Sequence, residues 1–181
     1  MATTGPVSFA SVVDDFNGDY PWSDISNALV QDGNSATNVS DGSGPGSAIS
    51  GKLTFTDADF SAIPDTDTVD SILIELRIKT DGTSWTYETV KLVVGGSEAG
   101  DNYAVGGSPT TSFTYESFLV TTSLPTVAQI KSSNFGFVIQ FGIGAVSDTV
   151  YIDHARVSVN HTAAGGGGGG TANNLLLLGV G

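Results

Sequence analysis

Three acidic or amide side chains between residues 15 and 19 have the spacing best suited to bind a metal ion. Asp15, Asn17 and Asp19 match the first, third and fifth ligand positions of an EF-hand calcium loop. Tyr20 stands where that loop needs glycine, and Ser26 stands where it needs a bidentate glutamate. The favoured interpretation is therefore an acidic polar loop, with another kind of calcium site as the alternative. The acidic cluster at 65–70 precedes a strand pattern, where such residues usually form turns, and no metal ion or cofactor is predicted.

Asp153 and His154 are adjacent, and neighbouring residues of a regular strand point to opposite faces. They are therefore not expected to pair as in a catalytic triad. We predict instead that Asp153 faces inward and anchors a neighbouring loop, and that His161 lies exposed beyond the last strand. The sequence has two histidines and no cysteine, which disfavours a transition-metal site. It contains no P-loop, Gly-x-Ser-x-Gly or His-Glu-x-x-His motif, so we predict no catalytic residues and no enzyme.

Trp85 and Tyr87 follow a turn-forming segment at 81–84 and share one face of a predicted strand. Exposed aromatic rings on β-sandwich modules can stack on sugars, so these two residues are the candidate glycan-binding pair. Ordinary packing at a sheet edge is the favoured alternative, since isolated surface aromatic residues are common.

Alternating apolar and polar residues predict strands, and these strands must position the candidate residues. The strand patterns lie at 53–55, 71–79, 90–94, 113–120, 135–141 and 151–159. Helical patterns are limited to a short segment at 126–132 and one turn at 23–29. The fold class is therefore all-β, a two-sheet antiparallel β-sandwich of jelly-roll type, with an up-and-down barrel as the alternative. We predict one core formed by Phe55, Ile72, Ile74, Leu76, Val90, Leu92, Phe135, Phe137, Ile139, Val157 and Val159.

The formal net charge of -13 predicts repulsion from nucleic acid and from anionic lipid, so both are excluded as main partners. No segment approaches the roughly 18 apolar residues of a membrane span. The first residues also lack the basic start and apolar run of a secretory signal peptide.

The chain is predicted to consist of a β-sandwich domain at 1–162, a glycine linker at 163–170 and an attachment peptide at 171–181. Polyglycine has maximal backbone freedom and cannot form a core. Burying each large apolar side chain of the last segment would stabilise a contact by about 1.5 to 3 kcal/mol. We therefore expect docking on another protein, or exchange between subunits of a homo-oligomer. The predicted partner-binding residues are Leu175, Leu176, Leu177, Leu178 and Val180.

A series of landmarks resembles a β-sandwich module of virion proteins from tailed bacteriophages. In order, these are Trp22, Asn27-Ala28, Asp32-Gly33, Leu53-Thr54-Phe55, Ile63-Pro64, Val69-Asp70-Ser71-Ile72, Val90-Lys91-Leu92, Gly100-Asp101-Asn102, Asn134-Phe135-Gly136-Phe137 and Tyr151-Ile152-Asp153-His154. The family often has Trp-Gly shortly before its short helix, whereas this chain has Ser123-Leu124-Pro125.

The resemblance implies a structural protein on the exterior of the virion, of head-decoration, cement, tail or fibre type, that docks on capsid or tail proteins. The alternative is a carbohydrate-binding β-sandwich module for adhesion to a surface glycan. The leucine-rich end favours the first function, and the segment at Trp85 favours the second.

Overall fold

The computed structural model of the protein describes residues 1–43, 47–104, 106–144 and 146–164. Within these residues the chain forms mostly β-strands, with one 3-10 helix at Ile25–Leu29 and one α-helix, α1, at Val127–Ile130. The strands are β1 Ala2–Asp14, β2 Trp22–Ser23, β3 Ala36–Asp41, β4 Ala48–Ile49, β5 Leu53–Ala58, β6 Thr68–Thr80, β7 Trp85–Val94, β8 Ser97–Ala99, β9 Thr114–Val120, β10 Gly136–Ile143 and β11 Ser147–Thr162.

The strands form an antiparallel β-sandwich of two sheets. Sheet A contains β2, β3, β11, β6 and β9, and β6 pairs along its whole length with β11. Sheet B contains β5, β10, β7 and β8, with β4 beside the end of β10. Strand β1 joins the sheets, because its first half pairs with β11 and its second half with β5. The predicted fold class is confirmed.

The predicted core is confirmed, since each of its residues is at most 2% exposed. Aromatic residues from both halves of the chain meet there, and the rings of Phe55 and Phe137 stack with centroids 4.9 Å apart. Gly136 stands between two core phenylalanines because β5 runs too close for a side chain. A Cβ atom at this position would lie 1.7 Å from the carbonyl oxygen of Phe55.

The short helix α1 begins where the sequence predicted it. Thr126 caps its first turn by accepting a hydrogen bond from the backbone N–H of Gln129, and the Gln129 side chain accepts one from the Thr126 N–H in return. Val127 and Ile130 of this helix are buried against the sandwich. No helix among the described residues is both long and apolar enough to cross a bilayer.

Of the predicted linker at 163–170 and the predicted attachment peptide at 171–181, the structure describes only residues 163 and 164. The predicted attachment residues Leu175, Leu176, Leu177, Leu178 and Val180 lie outside the described residues. The division at 162 and 170, the attachment peptide and the homo-oligomer therefore stay predictions.

Candidate functional site

The two residues of the candidate glycan-binding pair are buried. The prediction that they form an exposed platform for a sugar is therefore wrong. Trp85 is 0% exposed and Tyr87 is 5% exposed. Both rings pack against Phe141 in the core, and the Tyr87 hydroxyl donates a 2.7 Å hydrogen bond to Glu116 Oε2. Burial and the Glu116 carboxylate raise the pKa of Tyr87 far above its ordinary value. These residues stabilise the sandwich and offer no surface to a ligand.

A β-bulge in β7 is the physical reason for this burial. Gln140 of β10 pairs with Thr89, but its neighbour Phe141 pairs with Tyr87, so Glu88 is an extra residue on β7. An extra residue reverses which side chains of a strand face the core. Tyr87 therefore lies on the inner face with Val90, although residues three positions apart on a regular strand point to opposite faces.

A second bulge changes the predicted geometry at Asp153. Ile152 pairs with Ile78 and His154 pairs with Arg77, which leaves Asp153 as the extra residue of β11. Both Asp153 and His154 consequently contact groups on the outer face of sheet A, instead of pointing to opposite faces. The predicted inward orientation of Asp153 is wrong.

The predicted anchoring role of Asp153 is nevertheless confirmed. Its side chain is 0% exposed, accepts a 3.1 Å hydrogen bond from the backbone N–H of Gly33 and forms an ion pair with Arg77. Gly33 belongs to the loop between the 3-10 helix and β3, and its φ of 88° is one that glycine adopts without strain. The buried carboxylate thus ties this loop to sheet A.

A hydrogen-bonded chain holds the same loop at a second point. Ser8 Oγ lies 2.8 Å from His154 Nε2, His154 Nδ1 lies 2.9 Å from the Tyr115 hydroxyl, and that hydroxyl donates a 2.8 Å bond to Gln31 Oε1. Because the Tyr115 hydroxyl donates its proton to Gln31, it can only accept a hydrogen bond from His154. Nδ1 of a neutral His154 therefore carries the proton, and Nε2 accepts a hydrogen bond from the Ser8 hydroxyl. Burial lowers the pKa of His154, and the positive charge of Arg156 lowers it further.

The anchored loop forms one wall of a groove on the outer face of sheet A, which we call the sheet A groove. The groove has a volume of about 410 Å³. It is lined by Asn27, Gly33, Asn34, Ser35, Thr37, Lys79, Phe113 and Tyr151. Two aromatic rings therefore face a space that is otherwise surrounded by amide, hydroxyl and amino groups.

Strand pairing brings the groove residues together from distant parts of the sequence. Tyr151 of β11 lies between Thr37 of β3 and Lys79 of β6. Phe113 immediately precedes β9, the strand on the far side of β6. Four segments of sheet A thus contribute one lining residue each across the floor of the groove.

Lys79 links the two aromatic residues of the groove. Its amino nitrogen lies 4.3 Å from the centroid of the Tyr151 ring and 5.4 Å from that of Phe113. The Tyr151 hydroxyl donates a 2.7 Å hydrogen bond to Asp81 Oδ2, and this bond raises the pKa of Tyr151. These contacts hold both half-buried rings in defined positions before any ligand arrives.

The candidate metal loop is occupied by contacts within the protein. Asp15 Oδ1 accepts hydrogen bonds from the backbone N–H groups of Asn17 and Lys52, at 3.0 and 2.9 Å. Burial opposes the charged form of Asp15, yet these backbone donors hold its pKa below the ordinary value. Asp19 Oδ2 accepts from the Ile49 N–H at 2.9 Å. Residues 1–43, 47–104, 106–144 and 146–164 contain no group of three acidic, histidine or cysteine side chains placed to hold a metal ion.

His161 is 5% exposed, so its predicted exposure is wrong. Its Nδ1 lies 2.7 Å from Asp67 Oδ2, and its Nε2 lies 3.1 Å from the Thr4 hydroxyl. Asp67, from the acidic cluster at 65–70, thus serves to join the loop before β6 to the end of β11.

Comparison with known proteins gives structural likeness only. No protein-family model and no curated protein matches the chain. Among solved structures, one described as CBM4 structure and function has 13% identity and a TM-score of 0.43, with 72% of this chain and 87% of that chain covered. A family 29 carbohydrate-binding module from Piromyces equi, CBM29_1, has 18% identity and a TM-score of 0.46, with 88% of this chain and 93% of that one covered.

The comparison corrects the function expected from the sequence. The two solved structures described above are carbohydrate-binding modules, and no family model or curated protein that would support a virion component matches the chain. The hypothesis of a phage head-decoration, cement, tail or fibre protein is therefore wrong. At these identities and TM-scores the likeness does not identify a ligand, so any function has to be argued from the chain's own groove.

Proposed function

We propose that the protein is a non-catalytic module that binds a glycan in the sheet A groove. The observation that carries the proposal is the placement of Phe113 and Tyr151 at one open groove beside the hydroxyl groups of Ser35 and Thr37. A sugar ring presents C–H bonds on its faces and hydroxyl groups at its edge. Aromatic rings among a few polar groups provide complementary surfaces for both.

The rigidity of the groove supports binding without rearrangement. Lys79 and Asp81 hold the Tyr151 ring, while Asp153 holds Gly33 in the opposite wall. A preorganised site avoids part of the entropy cost that a ligand would otherwise have to offset. Glycan binding also needs no group that undergoes a reaction, which agrees with the lack of a recognisable catalytic motif in the sequence.

The proposal is tested by measuring binding of the full chain to a panel of soluble polysaccharides, using affinity electrophoresis and titration calorimetry. The Tyr151→Ala and Phe113→Ala variants remove the rings of the groove. We expect each to weaken binding at least about tenfold, which corresponds to about 1.4 kcal/mol. Neither ring lies in the core between the sheets, so both variants should stay folded.

The matched control is Phe16→Ala, because Phe16 is 71% exposed and does not line the groove. This variant should bind as the wild type does. If the wild type binds no polysaccharide of the panel, or if Phe16→Ala weakens binding as much as Tyr151→Ala, the proposal is wrong.

A further inference from the structure

The outer face of sheet A carries three of the chain's basic residues, and each lies beside a carboxylate. Arg156 donates two hydrogen bonds to Glu75, of 2.9 and 3.1 Å. Arg77 is paired with the fully buried Asp153. Lys79 Nζ lies 3.5 Å from Asp81 Oδ1. Within the part of the chain that the structure describes, this face has no cation left without a carboxylate partner.

These pairs matter because a bound anion would have to compete for each cation. Both guanidinium groups are held on two sides, since Arg77 also lies 4.9 Å from the Phe113 ring centroid and Arg156 lies 3.8 Å from that of Tyr115. The paired carboxylates neutralise the positive charge of both arginines, so a ligand carboxylate or sulfate would meet a neutralised pair and not a free cation.

The rim of the groove carries additional negative charge. Asp32 precedes the lining residues Gly33 and Asn34, and its two oxygens accept hydrogen bonds from Asn34, at 2.9 and 3.0 Å. These bonds lower the pKa of Asp32 and keep it ionised. The side chain of Asp81 is 53% exposed. An anion near Lys79 is therefore repelled by the Asp81 carboxylate, 3.5 Å from the Lys79 amino nitrogen, and by Asp32 next to the lining residues.

The groups left free for a ligand are uncharged. The hydroxyls of Ser35 and Thr37 line the groove and make no hydrogen bond to another described residue. A hydroxyl both donates and accepts, which suits the hydroxyls of a sugar. Resting on the proposed glycan-binding function, we infer that the ligand is an uncharged glycan and that the groove rejects glycans with carboxylate or sulfate groups.

The experiment compares matched polysaccharides that differ in charge. The full chain is titrated with hydroxyethyl cellulose and carboxymethyl cellulose, with dextran and dextran sulfate, and with mannan and phosphorylated mannan. In a buffer of about 10 mM ionic strength, charges interact over about 30 Å. We expect the neutral member of a bound pair to bind at least about tenfold more tightly than its anionic partner. This ratio should shrink at about 1 M salt, where the screening length falls to about 3 Å.

Two variants locate the rejecting charge. Asp32→Asn removes a carboxylate at the rim and should raise the affinity for the anionic member relative to that for the neutral member. Asp59→Asn removes one charge elsewhere, from a carboxylate that likewise accepts the N–H of the residue two positions later, at 2.9 Å. It should leave both affinities unchanged.

The outcomes separate this inference from the function on which it rests. Equal or tighter binding of the anionic members, abolished by Tyr151→Ala, would overturn the uncharged ligand but keep glycan binding in the groove. Absence of binding to every polysaccharide, or binding that Tyr151→Ala leaves unchanged, would overturn both.

Discussion

Two aromatic pairs have different places in the sandwich: one packs in the core, and the other lines the groove on the outer face of sheet A. Trp85 and Tyr87 belong to β7 and are enclosed between the sheets, where Trp85 lies 6.5 Å from Phe141 by ring centroids. Phe113 and Tyr151 come from separate segments and face the sheet A groove. The first pair is close in sequence and serves the core. The second pair is far apart in sequence and forms the only aromatic surface of the groove as the described residues define it.

This contrast shows that proximity in sequence is a poor guide to a binding surface in a β-sandwich. Two aromatic residues that are two positions apart on one strand share a face. The pattern of that strand alone does not reveal whether this face is turned towards the core or towards solvent. A surface pair such as Phe113 and Tyr151 requires the sheet order, because β6 separates their strands. That order is set by long-range pairing.

The largest effect is expected at Trp85. Truncation of this fully buried ring to alanine in Trp85→Ala should lower the free energy of unfolding by about 3 to 5 kcal/mol, because it leaves a large cavity in the core. Phe113→Ala, at the half-buried ring of the groove, should cost less than about 1 kcal/mol. Urea denaturation monitored by circular dichroism measures both values.

The order of the two variants should be reversed for ligand affinity, where Phe113→Ala has the larger effect. Any Trp85→Ala protein that remains folded should bind glycan as the wild type does, whereas Phe113→Ala should not. A stable Trp85→Ala protein that has lost binding would reverse the assignment of the two pairs.

Much of the sandwich could be predicted from the sequence because alternation reports burial directly. Ile72, Ile74 and Leu76 on β6 follow the simple period of two, and they are buried as expected. Prediction failed where the period slips. The bulges at Glu88 and Asp153 each insert one residue, and nothing local in the sequence marks either position. A bulge is visible only against the partner strand, so the faces of Tyr87 and Asp153 had to come from the structure.

The groove could not be predicted for a related reason. Its wall depends on the loop at Gly33, which a carboxylate 120 positions away in the sequence holds in place. Tyr151 was recognised as a strand residue, but its neighbours Thr37 and Lys79 come from strands whose pairing the sequence does not specify.

A substitution at Asp153 should loosen the groove while leaving its rings in place. Asp153→Asn removes the charge that pairs with Arg77 and weakens the hydrogen bond from Gly33. We expect a loss of about 1 to 3 kcal/mol in the free energy of unfolding, as for other buried polar groups deprived of a partner. Glycan affinity should also fall, because Gly33 lines the groove. Asp59→Asn, at an exposed turn, should change neither quantity by a measurable amount.

Chemical denaturation and titration calorimetry on the same samples separate the two effects. If Asp153→Asn lowers stability but leaves glycan affinity intact, the anchored loop does not shape the binding site. The contacts of Tyr151 and Phe113 would then be sufficient for binding.

The smallest expected effect concerns pH and the His154 chain behind the groove. The pKa of His154 lies below its ordinary value of 6.5 in the folded protein, because of burial and the nearby Arg156. The unfolded chain therefore takes up the proton first as the pH falls. Stability that is present above about pH 6.5 must then decrease as the pH falls through that value towards the folded pKa. Protonation of Nε2 also removes the acceptor for the Ser8 hydroxyl.

His154→Gln isolates this contribution, because glutamine does not titrate and His161 is present in both proteins. The variant should be less stable than the wild type at about pH 8, and the difference should narrow at about pH 5, since only the wild type loses the contribution of a neutral His154. Thermal unfolding of the two proteins across this range measures the difference directly. A difference that is constant with pH would mean that His154 has the same proton affinity in the folded and unfolded chains. A difference that widens towards acid pH would mean that the folded state favours the protonated ring, in which Nε2 donates to the Ser8 hydroxyl while Nδ1 still donates to Tyr115.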